Sequence, residues 1–177
     1  LIWIEKGNEI NSDLRHPQPD VQNHSMPKLI VEANTGIKAV DDAIEEFYET
    51  GYLHNHVRMY IAAICCNMGQ SHWKVPAQWM YYHLKDGDWA SNALSWQWVA
   101  GSNSNKKYIA NQDNINKYCN TDQSGTFLDV PYEAFDDFYT PKTLKDLVLP
   151  ELKTPLPDSK EIEIDSDKST LIYNFYN

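Results

Sequence analysis

The segment from Asn55 to Met68 limits the fold more than any other. It reads as one helix that is apolar nearly all round, with Val57, Met59, Tyr60, Ile61, Ala62, Ala63 and Ile64 spread over its faces. Such a helix has no side to give to water and is buried centrally. It needs neighbours, and the flanking sequence supplies them. Lys38 to Thr50 is amphipathic: Val40, Ala43, Ile44, Phe47 and Tyr48 form one stripe, with Asp41, Asp42, Glu45, Glu46 and Glu49 opposite. Gly51 ends it. Pro76 suits the first turn of a third helix, through Trp79, Met80, Tyr81, Tyr82 and Leu84 to a break at Gly87. A fourth helix starts at Asp88, whose carboxylate suits an N-terminus.

The rest is less patterned. Residues 1–35 are irregular, and HPQPDVQNHSMP is loop, because its prolines remove amide donors and restrict their neighbours. After Gly101 the stretch SNSNKKYIANQDNINKYCNTDQSG is an Asn-rich loop with one short helix. Pro131 to Phe138 and Pro141 to Val148 read as two further short helices. KTPLPDSKEIEIDSDKS is an acidic linker, and Thr170 to Tyr176 is a strand. The fold class expected is all-α: a helical domain over residues 1–150 with an irregular start, then a linker and the first strand of a following domain over 151–177. The chain lacks an initiator Met and closes on an unpartnered apolar segment. Both ends read as cut, so a fragment of a longer protein is expected.

Composition narrows the function classes. With 177 residues, 42% of them hydrophobic, the chain can bury one sizeable core. No run of 18 apolar residues points to a membrane span, and the start has no secretory pattern. Cys65, Cys66 and Cys119 are an odd set without metal-ligand spacing and read as free thiols of a cytoplasmic protein. The net charge is −10, split as −4 over residues 1–127 and −6 over 128–177. That balance argues against tight autonomous binding to DNA, which calls for a basic face.

The chemistry-bearing residues cluster between Thr50 and Trp98. Asn55 and Arg58 sit three apart on one helical face. A buried guanidinium needs a partner, and Asp86 and Asp88, flanking Gly87 at a helix corner, are the natural ones. On spacing alone the set reads rather as an ordinary buried ion pair that locks two helices. Asn92 lies one turn past Asp88; an Asn inside a helix either binds something or faces water. Trp96 and Trp98 diverge on their helix, and Trp73 precedes the third helix. Core packing is the ordinary use of such tryptophans, and a redox chain is the rare one. A metal site built from His54, His56, His83, Asp86 and Asp88 is disfavoured, because His54 and His56 fall on different helical faces.

Taken together, these residues resemble the C-terminal half of the FAD-binding domain of DNA photolyases and cryptochromes. That family carries TG(W/Y)xHNRxRM, then a Trp, then DGDxAxNxxxWQW. The corresponding residues here include Thr50, Gly51, His54, Asn55, Arg58, Met59, Trp73, Asp86, Gly87, Asp88, Ala90, Asn92, Trp96, Gln97 and Trp98. NTGIKAVDDAI resembles KTGxPxVDAAM, and the opening LIW resembles ELIWRE. The resemblance implies that Asn55, Arg58, Asp86 and Asp88 line an FAD site and that Asn92 faces flavin N5. It implies that Trp96 and Trp73 pass electrons. It also implies that Trp98, Trp3, Met59 and His54 lie on the side of a substrate, a pyrimidine dimer in DNA. The pattern favours the cyclobutane-dimer branch, since the (6-4) branch has His at the positions of Asn55 and Met59.

Departures accompany it. The family's HNR is HNH here, so His56 replaces a basic residue, and the arginine after LIW is Ile4. The Thr-Ser-rich phosphate-binding segment and the N-terminal α/β domain have no counterpart. The chain alone is therefore expected to bind FAD weakly or not at all. Two functions compete. One is a flavin domain that, in an intact parent, drives light-dependent electron transfer from reduced FAD to damaged DNA. The other is a non-catalytic helical binding or signalling relative that has lost FAD.

Overall fold

Helix α2 (Lys38–Thr50) shows how local sequence sets an element. Val40, Ile44 and Phe47 recur at helical spacing and are buried. The Asp41 carboxylate in its first turn accepts the Thr35 and Gly36 N–H groups at 2.8 and 2.9 Å and the Thr35 hydroxyl at 2.6 Å. At the other end Gly51 takes φ 70°, and its N–H donates to the Phe47 carbonyl at 2.8 Å. A Cβ there would sit 2.6 Å from the Lys85 side chain and 3.1 Å from the His83 carbonyl. Gly51 is thus the point where two helix corners touch.

A computed structural model describes residues 9–136, 139–153 and 167 of the chain. Among them the other helices are α1 (Lys28–Val31), α3 (Asn55–Ala63), α4 (Lys74–His83), α5 (Trp89–Ala100) and α6 (Gln112–Cys119). Short 3-10 turns lie at Glu9–Asn11, Tyr132–Phe135 and Lys142–Lys145. The expected helical fold class is found, with one addition. Strands β1 (Met26–Pro27) and β2 (Leu147–Val148) pair antiparallel, Met26 opposite Val148. The helix expected over Pro141–Val148 is therefore only a 3-10 turn followed by extended chain. The cause is tertiary: the Lys28 N–H donates to the Asp146 carbonyl at 2.8 Å, and the residues beside it join β1. Of the short helix expected at Pro131–Phe138, only the turn Tyr132–Phe135 forms among the described residues. The expected strand at Thr170–Tyr176, and the linker apart from Lys153 and Asp167, lie outside them.

Helix α5 packs on both α3 and α4, around a core that includes the fully buried Trp73, Trp79 and Trp96. The helix expected from Asn55 to Met68 changes winding after Ala63 and ends in a π turn, Ile64–Met68. The wider turn sets Asn67 so that its Nδ2 donates to the carbonyls of Val99 and Tyr108, at 3.0 and 2.7 Å. Among the described residues no helix is long and apolar enough to cross a membrane.

The irregular N-terminal segment is held by side chains together with scattered backbone hydrogen bonds to Gln70, His72 and Ser102. Gln97, completely buried on α5, accepts the Leu14 N–H at 3.0 Å and donates to the Ser12 carbonyl at 3.2 Å. Asp13 accepts the Trp73 indole N–H at 2.7 Å and the Gln18 N–H at 2.9 Å. Gln18 in turn accepts the Trp73 backbone N–H at 2.8 Å. Gln18, Trp73 and Gln97 are buried, and their polar groups would be orphaned without these partners. Gln97→Ala is expected to destabilise the fold by about 2 kcal/mol, because it removes two hydrogen bonds made by a buried side chain. Asn55→Ala, at an exposed position, is expected to change stability by less than about 0.5 kcal/mol. Urea unfolding followed by circular dichroism measures both.

Candidate functional site

Two helices present matching stripes to one another. On α3 the stripe is Asn55, Arg58, Met59 and Ala62; on α5 it is Asp88, Ser91, Asn92, Ser95, Trp96 and Val99. Both recur at steps of three and four residues, so each lies on one helical face. Between them runs a cleft of about 270 Å³. Met80 of α4 and Leu84 just past its end add apolar wall, and Asp86 lines it from the corner joining α4 to α5.

The charged groups are not the tight buried lock expected from the sequence. Arg58 Nε donates to the Leu53 carbonyl at 2.7 Å, which fixes the guanidinium. Its other contact, to Asp86, is 3.5 Å long, and the two side chains are 28% and 66% exposed. A pair of that kind is worth about 0–1 kcal/mol. Asp88 is engaged elsewhere: its Oδ1 accepts the Ser91 N–H at 2.7 Å and caps α5. The physical reason is position. The guanidinium lies at an open cleft, where water meets the need that a second carboxylate would meet in a closed core.

Asn92 is the best-fixed polar residue of the cleft. It is buried, and its Nδ2 donates to the Ala77 carbonyl of α4 at 2.8 Å. Among the described residues its Oδ1 has no partner. Trp96, also buried, forms part of the wall.

Of the residues singled out from the sequence, the cleft collects Asn55, Arg58, Met59, Asp86, Asp88, Asn92 and Trp96. It does not collect the others. Trp73 is buried away from the cleft, with its indole on Asp13. Trp98 diverges from Trp96, is 47% exposed, and its ring lies 6.0 Å from that of Tyr108. His54 is exposed and caps α3, its Nδ1 accepting the His56 N–H at 3.3 Å. Trp3 lies outside the described residues. Ser91 and Ser95 were missed, although continuing the step of three and four from Asp88 reaches both.

The histidines have structural settings. His54 stands before the helix rather than on it, and its ring lies 5.3 Å from that of His56. His83 is boxed by Phe47, Tyr48, Trp79 and Tyr82, with ring centroids between 4.8 and 5.9 Å away. Among the described residues no three His, Cys, Asp or Glu side chains converge as a metal site. Burial pushes the Cys65 and Cys66 thiols up, so they remain protonated and unreactive.

Residues 7–131 match the family model for the FAD binding domain of DNA photolyase. The chain belongs to this photolyase family. Deoxyribodipyrimidine photo-lyase of Agrobacterium fabrum is 40% identical over 68 residues, which are 38% of this chain and 14% of that protein. The enzyme of the same name from a Synechococcus species is 37% identical over 76 residues, 43% of this chain and 16% of that one. Cryptochrome-1 of Arabidopsis thaliana is 30% identical over 71 residues, 40% of this chain and 10% of that protein. The photolyase-family chain thus spans a small part of each relative.

FAD is the cofactor named for the family, and the cleft can be tested against it. A flavin ring is a flat plate with apolar faces and a hydrogen-bonding edge. The lining offers Met59, Met80, Trp96 and Val99 for the faces. For the edge it offers one guanidinium, two carboxylates, two serines and the anchored amide of Asn92. The residues fit the ring end. For the diphosphate end the lining holds a single cation, Arg58.

The two carboxylates are expected to behave differently. Asp88→Ala removes a helix cap and should lower stability by about 1 kcal/mol, whereas Asp86→Ala should cost less than about 0.5 kcal/mol. Thermal denaturation at pH 7 distinguishes them. Acid should act through His83 and His72, whose pKa values burial lowers. The unfolded chain then takes up these protons first, so stability is full above about pH 6.5 and falls below it. A His83→Phe variant should show a shallower fall in the urea midpoint between pH 7.5 and 5.5.

Proposed function

We propose that this chain is the part of a photolyase-type protein that seats the isoalloxazine end of FAD between α3 and α5. The observation that carries the reading is the convergence of two separate helical stripes, read from sequence, on one cleft. In this reading Asn55, Arg58, Asp86 and Asp88 hold the cofactor's polar edge. Asn92 presents its amide to flavin N5; an amide can both accept and donate a hydrogen bond, so it serves either protonation state of that nitrogen. Trp96 walls the ring and, with Trp73, passes electrons. Met59, Trp98, His54 and Trp3 serve the substrate side.

When bound and reduced, FAD supplies a light-driven one-electron donor. We infer that the whole protein uses it to split a pyrimidine dimer in DNA. Residues 1–150 are then the partial flavin domain, and 151–177 lead into another. The buried free thiols suit a cytoplasmic setting. A second reading, a relative that keeps the fold without repairing DNA, draws on the net charge of −10.

The full-length parent protein should bind FAD, read as quenching of flavin fluorescence on titration. Arg58→Ala and Asn92→Leu should each weaken binding about ten-fold, or about 1.4 kcal/mol. Failure of the unsubstituted parent to bind FAD overturns the proposal. Bound FAD without blue-light repair of a dimer-containing oligonucleotide favours the second reading.

A further inference from the structure

Helix α5 lines the cleft with two rows of side chains at different depths. Asn92, Trp96 and Val99 are buried and form the floor. Asp88, Ser91 and Ser95 are exposed and form the rim. The rim residues recur at steps of three and four, so they lie on one line about 10 Å long. Their hydrogen bonds leave that line rich in acceptors. Ser95 Oγ donates its proton to the Ser91 carbonyl at 3.0 Å, so lone pairs are what it has left to offer a ligand. Asp88 Oδ1 is taken up by the Ser91 N–H, and Oδ2 remains an acceptor. Among the described residues Ser91 Oγ has no partner. Asp86 adds a second exposed carboxylate to the cleft.

We propose that Ser91 and Ser95 bind the hydroxylated chain of the cofactor where it leaves the ring. This rests on the reading that the cleft seats the isoalloxazine end of FAD. Ring, chain and diphosphate compete for the rim, and their chemistry separates them. The faces of the ring are apolar and match the floor, at Trp96 and Val99. The diphosphate is an anion, and a rim that holds Asp88 with Asp86 nearby repels it. The ribityl chain carries free hydroxyls at its 2′, 3′ and 4′ carbons, each an O–H donor. A line of acceptors suits a line of donors. Ser95 accepts from one chain hydroxyl, and Ser91, whose own proton is free, accepts from or donates to another. The pattern DGDxAxNxxxWQW leaves both serine positions open. The contact is therefore a property of this chain, and it makes the two serines specificity-determining residues for a cofactor with an intact hydroxylated chain.

The test is a coupling cycle between protein and cofactor, made on the full-length parent protein freed of flavin and read as quenching of flavin fluorescence. FAD is titrated beside its 2′-, 3′- and 4′-deoxy analogues, each short of one chain hydroxyl. Ser91→Ala and Ser95→Ala sit on the exposed side of a helix that alanine favours, so both keep the fold. Each should weaken FAD binding about five-fold. Against the analogue that lacks its partner hydroxyl, each should change affinity by less than about two-fold, because that bond is already gone. Serines that act on the ring, or only on the helix, give the same loss with every analogue. Equal losses across the analogues at either serine, or no loss with FAD, overturn the proposal while leaving the flavin site standing. A parent protein that binds no FAD overturns both.

Discussion

Helix α3 must be buried, and one of its edges cannot be. Val57 and Tyr60 to Ala63 drive it into the middle of the molecule. Asn55 and Arg58, on the remaining edge, resist losing water. The fold resolves the conflict by leaving that edge unpacked. α5 faces it across a gap instead of closing on it, and brings its own polar residues to the same gap. The cleft is therefore a consequence of desolvation cost, and a ligand with a polar rim and flat apolar faces is what such a gap accepts.

What holds the gap open is rigid, and what lines its mouth is loose. The Asn92 amide is tied to α4, Asp88 is committed to capping α5, and Arg58 is fixed by the Leu53 carbonyl. The contact between Arg58 and Asp86 is long and wet by comparison. A side chain in that state can turn to an arriving ligand at little cost, whereas one locked in a buried pair would have to break that pair first. The corner at Gly51 and Lys85 sets the mouth's width, because it joins the start of α3 to the loop that carries Asp86.

Other residues of α5 hold the N-terminal segment. Gln97 and Trp89 bind the N-terminal segment through Leu14, Ser12 and Asn11, and Asp13 joins that segment to Trp73. One helix thus serves the cleft with Asn92 and Trp96 and the strap with Trp89 and Gln97. Residues one position apart have unrelated tasks because neighbours on a helix diverge by about 100°.

Periodicity and capping were readable in the chain. They located α2 to its end residues, placed Asp88 at the head of α5, and put Asn55 with Arg58 and Asp88 with Asn92 on single faces. The family pattern then picked out most of the cleft. Neither revealed that Arg58 would stay partly in water or that Trp73 would rest on Asp13. Nor did they show that Leu147 and Val148 would leave a helix to pair with Met26 and Pro27. Spacing along a helix is local, so the sequence reports which residues share a face. Which face meets which, and how much water remains between them, depends on contacts between segments far apart in the chain, and those exist only once the helices have packed.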